Sequence, residues 1–205
     1  MKNAIYASTP SPLPRGEGWG EGATQSIPMS LDGIRDRIPD YARDLKLNLG
    51  SVLTPEGAPG LNATQIWSIA LATAIAARNV RFAREIELLA ATHLDDAHIR
   101  AAKSAAAIMG MNNVYYRFLH LVEDAEYQTL PARLRMQAVV GHGIGRDDFE
   151  LLSIAVSAVN GCGLCVTSHE KKLRAAGVSR ETIQSTIRIA AVIHAVAGVL
   201  EFEYT

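Results

Sequence analysis

From Ser30 onward, apolar residues recur at intervals of three and four, and almost no stretch alternates with period two in β-branched residues. That pattern predicts helices. Leu31, Ile34 and Ile38 make a short amphipathic turn. Pro39 suits the first position of a following helix, with Tyr41, Ala42, Leu45 and Leu49 on its apolar side and Gly50 near its end. A Pro- and Gly-containing loop at 54–60 precedes helices over 63–77 and 80–91. Asp95 caps a helix reaching about Met109, and helical segments follow over 112–123 and 130–140. The loop Gly141-His-Gly-Ile-Gly145 leads into a helix over 147–159. After it come a helix over 162–175, a stop at Gly177, and a last helix capped by Ser179 and reaching about Phe202. The expected fold class is all-α, with one helical domain over 29–205.

Residues 1–28 read differently. Half of the eight prolines (Pro10, Pro12, Pro14, Pro28) fall there, with alternating glycines over 16–22. Such a stretch has too little apolar surface to offset its ordering entropy, and it reads as a disordered tail. Met29, where the patterned sequence begins, is a candidate initiator. The formal net charge of -1 over 205 residues and the absence of basic runs argue against a nucleic-acid surface. The apolar run from Ile189 to Leu200 is too short to span a bilayer, and no signal-peptide pattern opens the chain. Neither membrane nor export is expected, which places the two cysteines in a reducing compartment.

The chain also resembles itself. Gln65-Ile-Trp-Ser-Ile-Ala-Leu-Ala-Thr-Ala74 aligns with Glu150-Leu-Leu-Ser-Ile-Ala-Val-Ser-Ala-Val159 at an offset of 85 residues. After a one-residue gap, Asp95, Ile99 and Ala105–Ala107 match Ser179, Ile183 and Ile189–Ala191. Two related helical repeats are expected, the second carrying the chemistry. In this register Cys162, Cys165, His169 and Glu150 correspond to Ala77, Val80, Arg84 and Gln65.

Both cysteines lie in Asn160-Gly-Cys-Gly-Leu-Cys-Val-Thr-Ser-His-Glu170. The Asn-Gly pair ends one apolar run and a helical pattern resumes at Cys162, so 162, 165 and 169 fall on one face near a helix start. A helix N-terminus favours thiolate, and the spacing is that of a thiol–disulfide redox centre. Alternatives remain. A structural zinc site wants four ligands and only His169 is an obvious third. Incidental core cysteines are the other alternative, although Gly161 and Gly163 suggest accessible sulfurs. His169 is either a proton relay one turn from Cys165 or a solvated polar residue. Glu150 is a candidate base, or half of an Asp147…Glu150 capping box. His93, His98, His120, His142 and His194 have no partner at a suggestive spacing, and the 141–145 loop lacks the residues of a phosphate loop.

This motif, with Phe149–Ala158 before it, Pro39–Leu49 near the start and Ala105–Tyr115 in the middle, resembles the alkyl hydroperoxide reductase D proteins. They are part of the carboxymuconolactone decarboxylase-like helical superfamily, and the resemblance runs from about Ser30 to Glu203. It implies a duplicated helical unit, commonly a homotrimer, in a cytoplasmic antioxidant peroxidase with no bound cofactor or metal. The implied roles are Cys165 as peroxidatic cysteine, Cys162 as resolving cysteine and proton donor, and His169 and Glu150 as proton relay. The implied redox disulfide joins Cys162 and Cys165. The implied partners are the peroxiredoxin alkyl hydroperoxide reductase C, through a mixed disulfide at Cys165, and a lipoylated 2-oxoacid dehydrogenase acyltransferase. Its dihydrolipoamide groups would supply electrons. Leu164 departs from the family's frequent C-x-H-C pattern, which puts reactivity and partner preference in question. Three other functional readings fit the sequence. They are an electron-relay adaptor for the peroxiredoxin, a lactone decarboxylase-type acid–base enzyme, and an interaction protein with an inactive site.

Overall fold

A computed structural model describes residues 30–137 and 141–204. The expected tail and the candidate start at Met29 lie outside the described residues. Among those described there is no strand, and the class is all-α as the periodicity predicts.

Two short helices, α1 (Leu31–Asp36) and α2 (Arg43–Val52), open the domain, joined by a 3-10 turn over Asp40–Ala42 for which Pro39 is the N-cap. Then come α3 (Ala63–Ala76), α4 (Val80–Ala90), α5 (Asp96–Leu121), α6 (Ala125–Thr129), α7 (Arg146–Val159), α8 (Gly163–Ala175) and α9 (Arg180–Tyr204). Helices α3, α5, α7 and α9 form the centre, with α3 and α7 each packed against one another and against both long helices. Helix α4 lies on α3, α8 on α7, and α2 on α9. Residues 66–74 of α3 and 149–157 of α7 are buried without a break, which is why both read as apolar nearly all round.

Two expected boundaries are corrected. Helix α5 is continuous for 26 residues, where a helix to about Met109 and a separate segment over 112–123 were expected. Asn113 is fully buried, and its side-chain amide finds partners on another helix, so the backbone has no reason to stop. Residues 130–136 are not helical. Pro131 forces Leu130 into an extended conformation (ψ 136°) and Arg133 sits at φ 51°. The remainder of that expected helix, 138–140, lies outside the described residues.

The repeat is present in the structure, but its register is 83 rather than 85 through the first two helices. Helices α3 and α7 both have 14 residues, N-caps at Asn62 and Gly145, and C-caps at Ala77 and Asn160. The next residues, Arg78 and Gly161, share φ 68°. Asn79 and Cys162 then cap α4 and α8. The buried positions coincide throughout except at Glu85, which is buried where Ser168 is exposed. Gln65 and Asp148, equivalent at 83, hydrogen-bond each other across the pairing of the two halves at 2.8 Å. For α5 and α9 the offset is 84, as the sequence indicates. Buried positions 101, 102, 105, 106, 109, 112 and 113 recur at 185, 186, 189, 190, 193, 196 and 197. The twins of Cys162, Cys165, His169 and Glu150 are therefore Asn79, Phe82, Ile86 and Trp67.

Helix α9, at 25 residues, is long and apolar enough by composition to cross a membrane, which the shorter apolar run did not suggest. It is instead a core helix: Ile183, Ile189, Ile193, Val196 and Leu200 pack inside the domain.

The N-terminal turn is held to this core by charge. Glu85, its side chain fully buried, takes ion pairs from Arg37 and from Arg81 (3.3 Å). Arg37 also lies 5.7 Å from the ring of Tyr204, whose hydroxyl donates to the Arg37 carbonyl at 3.1 Å. Arg37→Ala leaves a buried carboxylate with only a half-exposed partner, and should cost about 3–5 kcal/mol. Arg81→Ala should cost less than about 1 kcal/mol. Denaturant unfolding of the two variants measures both, and equal losses would refute the assignment.

Candidate active site

The site forms where α7 ends and α8 begins. The α7 helix stops at Asn160, Gly161 takes the left-handed conformation that a side chain resists, and Cys162 becomes the N-cap of α8. The Cys165 amide donates to the Cys162 sulfur at 3.3 Å, within the first turn of the helix. The electropositive end of α8 thus points at sulfur and favours negative charge there. Cys162 and Cys165 are joined in a disulfide, with Cα atoms 5.3 Å apart.

The sulfurs are less accessible than the flanking glycines suggested. In the disulfide form Cys162 is 0% exposed and Cys165 7%. The first turn of α8 folds its cysteine side inward and leaves Gly163 and Leu164 outward. The substitution at Leu164 therefore alters the surroundings of the site rather than its interior.

One turn after Cys165 on the same buried face, His169 meets Glu150 of α7, Nδ1 to Oε2 at 2.5 Å. The other carboxylate oxygen accepts from Lys172 Nζ at 2.9 Å. Burial pushes the Glu150 carboxyl upward, but the hydrogen bonds from His169 and Lys172, with their charges, outweigh it and hold the group below the usual carboxylate range. Glu150 is therefore ionised at neutral pH. An ionised carboxylate accepts the Nδ1 proton, and whenever the ring is neutral that leaves Nε2 as the nitrogen able to accept one.

The capping-box reading of Asp147 and Glu150 is not what forms. Gly145 caps α7 without a side-chain bond, and Glu150 turns to α8 instead. Of the other histidines, His98 bonds Asp95 at 2.7 Å, His93 stacks on Trp67, and His142 stacks on Phe149. Each has a local structural partner. Among the described residues no group of three or more His, Cys, Asp or Glu side chains is placed to hold a metal ion.

Two sets of residues escaped the sequence reading. Lys172 extends the stripe 162, 165, 169 by one more turn, and that spacing was the available signal. The second set holds the turn from behind. Asn113 of α5 donates to Ser157 Oγ at 2.9 Å and accepts from Asn160 Nδ2 at 2.9 Å. Arg117 donates to the Asn160 carbonyl at 2.7 Å, and the Cys162 amide donates to the Ser157 carbonyl at 3.1 Å.

Known proteins resemble this chain over most of its length. Residues 125–202, which include α7, α8 and most of α9, match the carboxymuconolactone decarboxylase family. Over 175 residues the chain is 54% identical to the alkyl hydroperoxide reductase AhpD of Rhodospirillum centenum, covering 85% of this chain and 92% of that one. Identity to the protein of the same name from Streptomyces coelicolor is also 54%, covering 85% and 97%. With that from Coxiella burnetii it is 51% over 169 residues, covering 82% and 96%.

Because the Glu150 carboxyl is depressed in the folded protein, its stabilisation is complete at neutral pH and is lost as pH falls through its folded value. Lys172→Gln removes one of the two hydrogen bonds that lower it, so the acid limb of the stability profile should move to higher pH. The half-exposed amine is screened by solvent, and the loss at neutral pH should stay below about 1 kcal/mol. Thermal melts across the acid range check this; superimposable limbs would refute it.

Proposed function

The chain belongs to the AhpD family of alkyl hydroperoxide reductases, and on that premise we propose that it reduces alkyl hydroperoxides through a Cys162–Cys165 dithiol–disulfide cycle. The observation that carries the reading is the pairing of these two cysteines at the start of α8, with a buried carboxylate–imidazole pair one turn further along.

Glu150 fixes His169 with Nε2 free, and that nitrogen takes a proton from the thiol pair. Of the two cysteines only Cys165 keeps any exposure, at 7%, and as thiolate it attacks the distal peroxide oxygen. The O–O bond breaks, the alcohol leaves with a proton supplied by the Cys162 thiol, and Cys165 becomes a sulfenic acid. The Cys162 sulfur then displaces the sulfenic oxygen, which leaves as water with the proton returned by His169, and the S–S bond forms. Two thiols and one hydroperoxide thus give one disulfide, one alcohol and one water.

An external dihydrolipoyl thiol reopens the disulfide through a mixed intermediate, so no bound flavin or metal is required. The lipoyl groups belong in this reading to a 2-oxoacid dehydrogenase acyltransferase. The enzyme also passes electrons to the peroxiredoxin alkyl hydroperoxide reductase C through Cys165, in the cytoplasm. Assembly as a homotrimer belongs to the same reading, and the exposed apolar side chains Val114, Phe118, Leu121, Tyr127 and Leu130 offer it an apolar surface.

Cys162→Ser should hold Cys165 as a sulfenic acid that a cyclic dione labels, and should lower peroxide turnover with lipoamide, lipoamide dehydrogenase and NADH by about 10²-fold or more. Running the wild type with and without a peroxiredoxin separates a peroxidase from an electron-relay adaptor. Undiminished turnover in the variant, or no label at Cys165, would overturn the cycle.

A further inference from the structure

The two halves tie the same turn to a long helix by different means. In the first half the N-cap Asn79 donates from its side chain to the Ala197 carbonyl of α9 at 3.1 Å, and accepts from the Phe82 amide at 2.8 Å. In the second half Cys162 occupies that N-cap position, and a disulfide-bonded sulfur cannot donate such a bond. The tie is made elsewhere. Asn113, which is the twin of Ala197, reaches back to Ser157 and Asn160. Their twins at the offset of 83 are Ala74 and Ala77.

Three polar groups therefore stand where the scaffold copy has alanine, and two of them, Asn113 and Ser157, are 0% exposed. Burying an amide and a hydroxyl in place of two methyls is unfavourable unless each is hydrogen-bonded, and here each is. The bonds converge on a single object, the segment 157–162 that carries the first cysteine. Asn113 holds the Ser157 and Asn160 side chains, Ser157 receives the Cys162 amide on its carbonyl, and Arg117 holds the Asn160 carbonyl.

We infer that Asn113 is a positioning residue for the dithiol, acting through Asn160 and Ser157 to hold Cys162 where its sulfur meets that of Cys165. The inference rests on the dithiol cycle proposed above. Closing the disulfide depends on the effective concentration of one sulfur at the other, which falls as the segment carrying either gains freedom. Without the amide the reduced pair wanders more, whereas the oxidised pair is still tethered by its own S–S bond. The equilibrium shifts toward the dithiol. In turnover the same loss slows the step in which Cys162 attacks the Cys165 sulfenic acid and expels water. The sulfenate then survives long enough for a second hydroperoxide to transfer an oxygen to it, giving sulfinate and one more alcohol.

The test is the equilibrium constant of the Cys162–Cys165 disulfide in dithiothreitol redox buffer, read without peroxide. Asn113→Ala should favour the dithiol about tenfold, a rise of about 30 mV in reduction potential for this two-electron couple. Asn160→Ala, at a half-buried helix end that accommodates alanine, should shift the constant at least about threefold, and it decides the matter if Asn113→Ala does not fold. Asn79→Ala is the control, since it cuts the equivalent tie at the turn without cysteines and should lower stability while leaving the constant within twofold of wild type. Peroxide titration should show sulfinic acid at Cys165 at lower doses in the Asn113 and Asn160 variants. Constants within twofold of wild type in those two, or an equal shift in Asn79→Ala, would overturn the inference. A wild type that neither closes nor reopens the pair would sink the proposed activity itself.

Discussion

A carboxylate withdrawn from water has to be met by positive charge or by donated protons, and at this site Glu150 imposes that demand. It comes from α7, and both groups that answer it come from α8. The packing of these two helices is therefore fixed by polar geometry as well as by the apolar contacts of Phe149, Leu152 and Leu173. The same constraint determines which nitrogen of His169 carries a proton, and through it what the imidazole can do for a sulfur one turn away. Nothing in the apolar core alone would orient that ring.

Much of this was legible in the chain. The three- and four-residue spacing of apolar positions gave the helices because most of them bury one broad face, and the Asn-Gly pair marked the turn because Gly161 does take a left-handed conformation. What failed did so for identifiable reasons. The expected division between Met109 and Asn112 does not form, and a buried amide such as that of Asn113, with partners on another helix, has no local signature. Residues 130–136 looked helical by composition, yet one proline removed its neighbour from the helical region. The Asp147…Glu150 spacing matched a capping box, but the carboxylate found stronger partners across the helix interface than at its own N-terminus.

The repeat shows why sequence similarity and structural register part company. The offset of 85 pairs similar letters, such as Ser-Ile-Ala with Ser-Ile-Ala; the offset of 83 pairs equivalent caps, turns and buried runs. Alanine-rich helices offer several near-equal alignments, and only the turn decides among them. Once the register is set, the comparison of halves becomes an internal control. Phe82 and Ile86 fill with hydrocarbon the places that Cys165 and His169 hold, and Trp67 stands opposite Glu150. At Asn113, Ser157 and Asn160 the cysteine-bearing half has polar side chains where its twin has alanine, all around one short segment.

The shared left-handed residue separates the halves in one more respect. A side chain held at φ 68° carries about 1 kcal/mol of backbone strain. Arg78 bears it; Gly161 does not, and a Cβ there would meet only the Arg117 side chain, 4.0 Å away. The turn at Arg78 is a wound spring that never has to move. In the proposed cycle the turn at Gly161 adjoins a bond that is made and broken, and its left-handed residue stores no backbone strain that would favour either end of the stroke.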